Sequence, residues 1–175
     1  MSILEILYYP DERLRTIADP VVTVSNDTNQ IISDMFDTMY FKKGIGLAAT
    51  QVNIHQQIIV VDLYKKDNQR LVFINPVITK KEGIISITES CLSIPQIYEI
   101  IPRSAKITIQ SLDQCGNKFE MEADKLLAIC IQHEVDHLFG KLFIDYLSPL
   151  QIKRIHKKIK KLSKTFKKNQ LSFDI

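Results

Sequence analysis

Apolar residues recur three and four positions apart in residues 26–42, which is the spacing of a helix with one buried face. A second helix is predicted to follow Asp124 as its N-cap and to run to about Phe139. Gly140 can close this helix in a left-handed conformation. Because the second helix is apolar almost all round, we expect it to lie buried through the middle of the domain.

Segments rich in β-branched residues predict six β-strands, and the turn-forming residues 113–117 join the last two as a hairpin. A glycine-bearing loop is predicted at residues 44–51. Short antiparallel strands, interrupted by helices that do not alternate with them, favour an α+β fold. We expect short antiparallel sheets packed around a buried central helix, followed by a C-terminal helix. The predicted strands are residues 57–63, 70–75, 83–88, 96–101, 105–112 and 118–122.

Length and composition favour a single domain, because 175 residues, of which 45% are hydrophobic, suffice for a substantial core. The sequence contains neither a membrane-spanning apolar stretch nor a basic leader followed by an apolar segment. We therefore expect a cytoplasmic protein without a membrane anchor, and a monomer. Three cysteines without a paired spacing indicate free or metal-bound thiols, which agrees with a reducing compartment.

The charge is distributed unevenly along the chain. Residues 150–168 contain nine Lys or Arg and no acid, whereas the rest has 14 basic against 20 acidic residues, a formal charge of −6. Ser148 and Pro149 provide a cap and a first-turn proline for a helix in the basic segment. We predict a body of residues 1–148 and a basic C-terminal helix and tail, residues 149–175, as part of the same domain.

The central helix carries two histidines one turn apart. His133 and His137 stand at positions i and i+4, on the same face, so both imidazoles can reach one metal ion. Glu134 lies beside the first histidine and can contact a water on that ion. On a buried apolar helix, two unpaired imidazoles and a carboxylate would cost several kcal/mol without a partner. A catalytic metal site is therefore predicted here.

A catalytic ion needs a third protein ligand and one open position. Cys130 lies roughly 7 Å from the ion along the helix axis, which is too far for a cysteine side chain. Cys115 stands in a polar turn that we expect at the surface. Cys91, at a strand end that is halted by Pro95, is the remaining candidate, and a buried apolar cysteine is the alternative interpretation of it.

Three segments together resemble the signature motifs of bacterial peptide deformylases, in the same order and spacing. They read GIGLAATQ at residues 44–51, ESCLS at residues 89–93 and QHEVDH at residues 132–137. The resemblance extends from Pro10 to Pro149. It departs at Ser90, where the family usually has glycine, and a positive φ there would strain a serine by roughly 1 kcal/mol or more.

The resemblance implies the peptide deformylase fold and removal of the N-formyl group from nascent formyl-methionyl polypeptides, by attack of a metal-bound water on the formyl carbon. The implied ligands are Cys91, His133, His137 and a water. The implied ion is Fe²⁺, with Zn²⁺, Ni²⁺ or Co²⁺ as substitutes, whereas the donor types alone suit zinc or iron.

Further roles follow from the same resemblance. Glu134 would take the proton of the water and pass it to the departing amine. The side chain of Gln51 and the backbone N–H of Leu92 match the oxyanion positions of the family. The remaining implied roles concern the substrate: the backbone near Ile45 and Gly46 would pair with the peptide, and Cys130 would line a methionine pocket or be a small buried filler.

Other interpretations remain open from the sequence. A metallopeptidase would use the same His-Glu-x-x-His unit, and a binding protein could hold a structural ion. Glu89 is a candidate structural acid that could pair with Arg103. The basic C-terminal helix is either a solvated face or a contact with the ribosome, where formylated chains emerge.

Overall fold

The computed structural model describes residues 2–63 and 70–170, without the side chains of residues 162–170. It contains three short 3-10 turns, at Glu12–Arg15, Ala49–Val52 and Phe143–Tyr146. The helices are α1 (Asn26–Phe41), α2 (Lys125–Leu138) and α3 (Pro149–Gln170). The strands are β1 (Gly46–Ala48), β2 (Ile58–Val61), β3 (Leu71–Glu82), β4 (Ile85–Cys91), β5 (Ile94–Arg103), β6 (Lys106–Leu112) and β7 (Lys118–Asp124).

Two antiparallel sheets organise the strands. Five strands form a sheet in the order β1-β2-β3-β6-β7, and β4 pairs with β5 in a separate hairpin. The hairpin predicted around residues 113–117 joins β6 and β7, with Leu112 opposite Lys118. The predicted α+β fold, with short antiparallel sheets and a central helix, is confirmed.

Strand β2 is apolar throughout because both of its faces are covered. Ile59 and Val61 belong to a core cluster that includes residues of α2. Ile58 and Val60 point the other way, into a cluster with residues of α1. Since neighbouring strand residues face opposite sides of a sheet, one short strand joins the two cores.

Helix α2 is buried along most of its length, from Ala128 to Val135 and again at its end. It terminates as predicted: Gly140 has a φ of 67°. The Gly140 N–H donates to the His137 carbonyl and the Lys141 N–H donates to the Asp136 carbonyl, which is the Schellman arrangement. The last turn of α2, which carries His137, is therefore fixed by backbone hydrogen bonds.

Strands β4 and β5 extend two to three residues beyond the predicted segments at residues 83–88 and 96–101, and three other differences are larger or differ in kind. Residues 44–51 form strand β1 and a 3-10 turn instead of a continuous loop. Strand β3 extends to Glu82, because it stays paired with β6 through exposed positions. Asp124 occupies the N-cap position of α2, but its side chain makes no capping hydrogen bond, since its backbone ends strand β7 opposite Lys106.

The chain divides into two compact units, Met1–Phe143 and Ile144–Ile175. In the second unit, α3 begins at Pro149 as predicted, and Ser148 and Gln151 exchange capping hydrogen bonds of 3.1 and 3.4 Å. Residues 171–175 of the predicted C-terminal tail lie outside the described residues. Among the helices that the structure describes, none combines the length and apolarity needed to span a membrane.

Candidate metal centre and its surroundings

Strand β4 and helix α2 bring a thiol and two imidazoles together. Cys91 ends β4 on the buried face of the hairpin, and His133 and His137 project from one face of α2. One donor atom from each residue lies within 4.8 Å of the other two. Sγ of Cys91 is 3.2 Å from Nε2 of His137. All three predicted ligands therefore converge on one point inside the protein.

The second ring nitrogen of His133 is occupied. Nδ1 lies 2.8 Å from Oε2 of Glu89, so Nε2 is the nitrogen left for an ion. Glu89 also accepts two hydrogen bonds from Arg103, of 2.6 and 3.0 Å, which is the ion pair that the sequence suggested. Arg103 donates a further hydrogen bond to Asp136, the residue before His137. The guanidinium thus links β4 and β5 to the ligand-bearing helix.

The pKa values of the two histidines are shifted in opposite directions. Burial by itself lowers the pKa of His133, but hydrogen bonds with Cys91 and Glu89 raise this pKa well above its ordinary value. Burial and the neighbouring His133 charge hold the pKa of His137 well below its ordinary value. Nδ1 of His137 is buried without a hydrogen-bond partner among the described residues. A thiolate and two imidazoles in this setting fit a divalent ion such as zinc or iron.

Glu134 is buried beside these ligands. Its Oε2 has no hydrogen-bond partner in the described part of the chain. Burial raises its pKa to about 7, and the negative charge of Glu89 acts in the same direction. A carboxyl group with this pKa can both accept and release a proton near neutral pH.

Gln51 is held in one orientation by three neighbours. Its Oε1 accepts a hydrogen bond of 2.8 Å from the Ala48 N–H, and its Nε2 donates to Oγ of Ser93 at 3.1 Å. The same Nε2 lies 3.5 Å from Sγ of Cys91. Leu92 lies in the two-residue turn between β4 and β5, directly after Cys91. The two predicted oxyanion donors therefore belong to residues beside Cys91, the predicted cysteine ligand.

The segment before Gln51 approaches α2 closely. Cys130 is buried, and its thiol lies 3.6 Å from the carbonyl oxygen of Ile45. A Cβ placed on Gly46 would lie 2.5 Å from Oε1 of Glu134 and 2.7 Å from Sγ of Cys130. Only glycine fits at this point. Burial raises the pKa of the Cys130 thiol well above its ordinary value, and the charge of Glu134 adds to the effect, so the thiol stays neutral.

Ser90, the departure from the family motif, is accommodated without strain. It lies at a register shift between β4 and β5, between Glu89 and Cys91, and its side chain is exposed. The described non-glycine residues with positive φ do not include Ser90. A serine therefore fits this position, because the backbone there does not need the freedom of glycine.

The sequence analysis assigned no role to Ser93 and Asp136, which both contact residues of the candidate site. Ser93 is fully buried and orients Gln51, and its carbonyl accepts from the Tyr9 N–H. Asp136 completes the ion-pair network. Both lie inside the family motifs. A polar residue close to a predicted ligand is the sequence signal that could have identified them.

Comparison with known proteins agrees with these motifs. The sequence profile of the polypeptide deformylase family matches residues 3–153. The peptide deformylase of Blochmanniella pennsylvanica (strain BPEN) is 89% identical over 170 residues, which make up 97% of this chain and 98% of that protein. A peptide deformylase crystal structure from Legionella pneumophila superposes with a TM-score of 0.90 at 43% identity, covering 94% of this chain and 97% of the other. The Ehrlichia chaffeensis peptide deformylase in complex with actinonin superposes with a TM-score of 0.86 at 36% identity, covering 92% and 98%.

Proposed function

Because the chain belongs to the polypeptide deformylase family and removes the N-formyl group from the methionine of nascent polypeptides, we propose that Cys91, His133 and His137 hold its metal ion. The observation that carries this proposal is the convergence of three buried donor atoms within 4.8 Å. A divalent ion at this point would lower the pKa of a water from about 15.7 towards about 7 and supply a nucleophile at neutral pH.

Glu134 moves the proton in this proposal. Its buried carboxylate accepts the proton of the attacking water and then delivers it to the departing amine. Burial supports this role, because it raises the pKa of Glu134 and so makes its carboxylate a better acceptor for the proton.

Gln51 and Leu92 stabilise the charge that develops on the formyl oxygen. Attack on the formyl carbon creates a tetrahedral oxyanion, which needs hydrogen-bond donors. The side-chain amide of Gln51 is held beside Cys91, because its Oε1 accepts from the Ala48 N–H and its Nε2 donates to Oγ of Ser93. The backbone N–H of Leu92 is the second donor. Removing one donor of this kind typically costs about 10² to 10³ in rate.

The substrate peptide pairs with the free edge of β1. Among the strands that the structure describes, β2 is the one that pairs with β1. The Ile45 carbonyl accepts from the Asp62 N–H, towards β2, so the backbone groups of Gly46 point to the opposite edge. The neutral thiol of Cys130 lies beside this segment and lines the pocket for the methionine side chain.

The ion is Fe²⁺ in this proposal, with Zn²⁺, Ni²⁺ or Co²⁺ as substitutes. One thiolate and two imidazoles suit iron as well as zinc. Metal analysis of protein purified without oxygen from cells grown on unsupplemented medium tests this identity. Iron at about one ion per chain is expected, and zinc at that level in anaerobic protein would contradict it.

The variant Glu134→Gln tests the proposed chemistry, because it keeps the side-chain shape and removes the proton acceptor. We expect full metal content and a loss of at least about 100-fold in kcat for formate release from a formyl-methionyl peptide. Glu120→Gln is the matched control, since Glu120 is exposed on β7. Normal turnover by Glu134→Gln would refute the role of Glu134.

The family assignment favours deformylation over both other interpretations of the motif. A metallopeptidase would cut an internal peptide bond, and a binding protein with a structural ion would leave the substrate unchanged. Incubation with the same formyl peptide separates these outcomes, because only deformylation releases formate and leaves the peptide chain intact.

The basic segment supports a contact with the ribosome. Helix α3 contains nine Lys or Arg and no acid at residues 150–168. Binding through these basic residues should weaken steeply between about 50 and 200 mM salt.

We place the enzyme in the cytoplasm as a monomer, with residues 1–148 as its catalytic region and residues 149–175 in the same domain.

Co-sedimentation with ribosomes tests this contact. The variant replaces basic residues of α3 by Gln, which keeps the helix, and we expect it to lose binding at low salt. Unchanged co-sedimentation would contradict the proposal. The control replaces the same number of basic residues in strands. The variant changes Lys153, Arg154 and Lys157, and the control changes Lys80, Lys81 and Lys106.

A further inference from the structure

Asp62 is a buried carboxylate at the end of β2, next to the segment that we propose to pair with the substrate peptide. Asp62 follows β2 directly and is only 4% exposed. Its Oδ2 accepts a hydrogen bond of 2.7 Å from the hydroxyl of Tyr40, in the last turns of α1. Burial raises the pKa of Tyr40, and the bond to Asp62 raises it further, so the hydroxyl keeps its proton. Tyr40 is therefore a stable donor to Asp62.

Arg70 contacts both the hydroxyl and the ring of Tyr40. Its Nε donates a hydrogen bond of 3.0 Å to the oxygen of Tyr40. Its guanidinium carbon lies 5.2 Å from the ring centroids of both Phe36 and Tyr40, within the range of cation–π attraction. The three polar residues thus form one chain of hydrogen bonds, Arg70 to Tyr40 to Asp62.

Asp62 is connected to the proposed substrate segment through its backbone. Its N–H donates a hydrogen bond of 2.9 Å to the carbonyl of Ile45. The inner side of this segment has no spare room: a Cβ on Gly44 would lie 2.7 Å from Cδ1 of Leu92, and one on Gly46 would meet Glu134. Residues 44–46 are therefore fixed between the metal centre and Asp62.

We propose that Tyr40 and Asp62, braced by Arg70, are positioning residues that hold the backbone of Ile45 and Gly46 in register for the substrate peptide. This inference rests on the proposed pairing of the peptide with β1. A strand with a fixed backbone binds a peptide better than a mobile one, because less freedom is lost on binding. The network reaches the proposed peptide-binding segment through the Ile45 carbonyl, so we expect its loss to change substrate binding more than the chemical step.

Tyr40→Phe tests the proposal, because it removes only the hydroxyl. We expect KM for a formyl-methionyl tripeptide to rise about two- to tenfold, the range for loss of one hydrogen bond. The value of kcat and the metal content should stay at wild-type levels. Tyr8→Phe is the matched control, since Tyr8 is 47% exposed. A purely structural hydroxyl would lower Tm and leave KM unchanged.

A second variant keeps the test decisive if Tyr40→Phe does not fold. Arg70→Met retains an apolar side chain over the two rings and removes the donor to Tyr40, so KM should rise in the same direction. Wild-type KM in the folded variants would overturn the positioning role.

The failure of this inference is distinguishable from the failure of the proposed function. Absence of formate release by the wild-type enzyme would refute the function itself. Normal formate release by the wild-type enzyme, together with wild-type KM in Tyr40→Phe and Arg70→Met, would refute only the positioning role.

Discussion

Replacing Arg103 by Met would leave two carboxylates in the interior without their shared cation. The side chain of Arg103 is 3% exposed, and those of Glu89 and Asp136 are 5% and 16% exposed. Methionine has a similar length and can fill the space, but it cannot donate the three hydrogen bonds to these acids. Arg103→Met therefore removes one partner of a buried ion-pair network and keeps the packing largely intact.

The expected magnitude follows from this burial. Breaking a buried ion pair by removing one partner costs about 3–5 kcal/mol of unfolding free energy. For a chain of this length each kcal/mol lowers Tm by about 2–4 °C, so the expected decrease is about 6–20 °C. Glu89 also orients His133 through Nδ1. Loss of such support typically weakens metal affinity by about 10- to 100-fold.

Urea unfolding of the metal-saturated and the chelated enzyme separates the two effects. In the chelated protein, the difference in unfolding free energy between wild type and Arg103→Met gives the contribution of the ion-pair network. Any additional difference in the presence of metal gives the change in metal affinity. Arg13→Met is the control, because Arg13 pairs with Asp11 at the exposed surface. A variant as stable as this control, with wild-type metal affinity, would refute the assigned role of Arg103.

Three further substitutions test other parts of the account. Gly140→Ala should destabilise the protein by more than about 1 kcal/mol in urea unfolding, because φ is 67° and the new Cβ would lie 2.3 Å from the Arg15 carbonyl oxygen; wild-type stability would contradict this. Ser90→Gly should lower stability by about 0.5–1 kcal/mol, since it relieves no backbone strain and adds freedom to a strand; a clear gain would show that Ser90 is strained. Cys91→Ala should lose bound metal after dialysis while Cys115→Ala retains it; full metal content in Cys91→Ala would rule out Cys91 as a ligand.

The convergence of the candidate ligands could be predicted because these residues are close in sequence or belong to specific motifs. His133, Glu134 and His137 share one helix, whose apolar residues and closing glycine define it locally. Cys91 could be chosen because the distance along the helix excluded Cys130. Glu89 and Arg103 lie on the two strands of one hairpin, but Glu89 is opposite Glu99 and Arg103 is opposite Ile85, so their pairing also depends on how the long Arg103 side chain is directed.

Features that depend on long-range contacts could not be predicted. The short strand β1 has glycine and alanine where a strand usually has β-branched residues, and it is a strand only because β2 pairs with it. The link between Tyr40 and Asp62 joins a helix to a strand end 22 residues away. Neither residue carries a sequence signal for this contact, because a tyrosine and an aspartate suit many positions.

Titration of the chelated enzyme with Fe²⁺ under anaerobic conditions, with formate release from a formyl-methionyl peptide as the readout, tests the central claim most directly. If Cys91, His133 and His137 form the single metal site of the enzyme, activity should rise linearly and level off at about one ion per chain. The variant Cys91→Ala should give no such rise. Full activity in the chelated enzyme, or a plateau that Cys91→Ala reproduces, would contradict the claim.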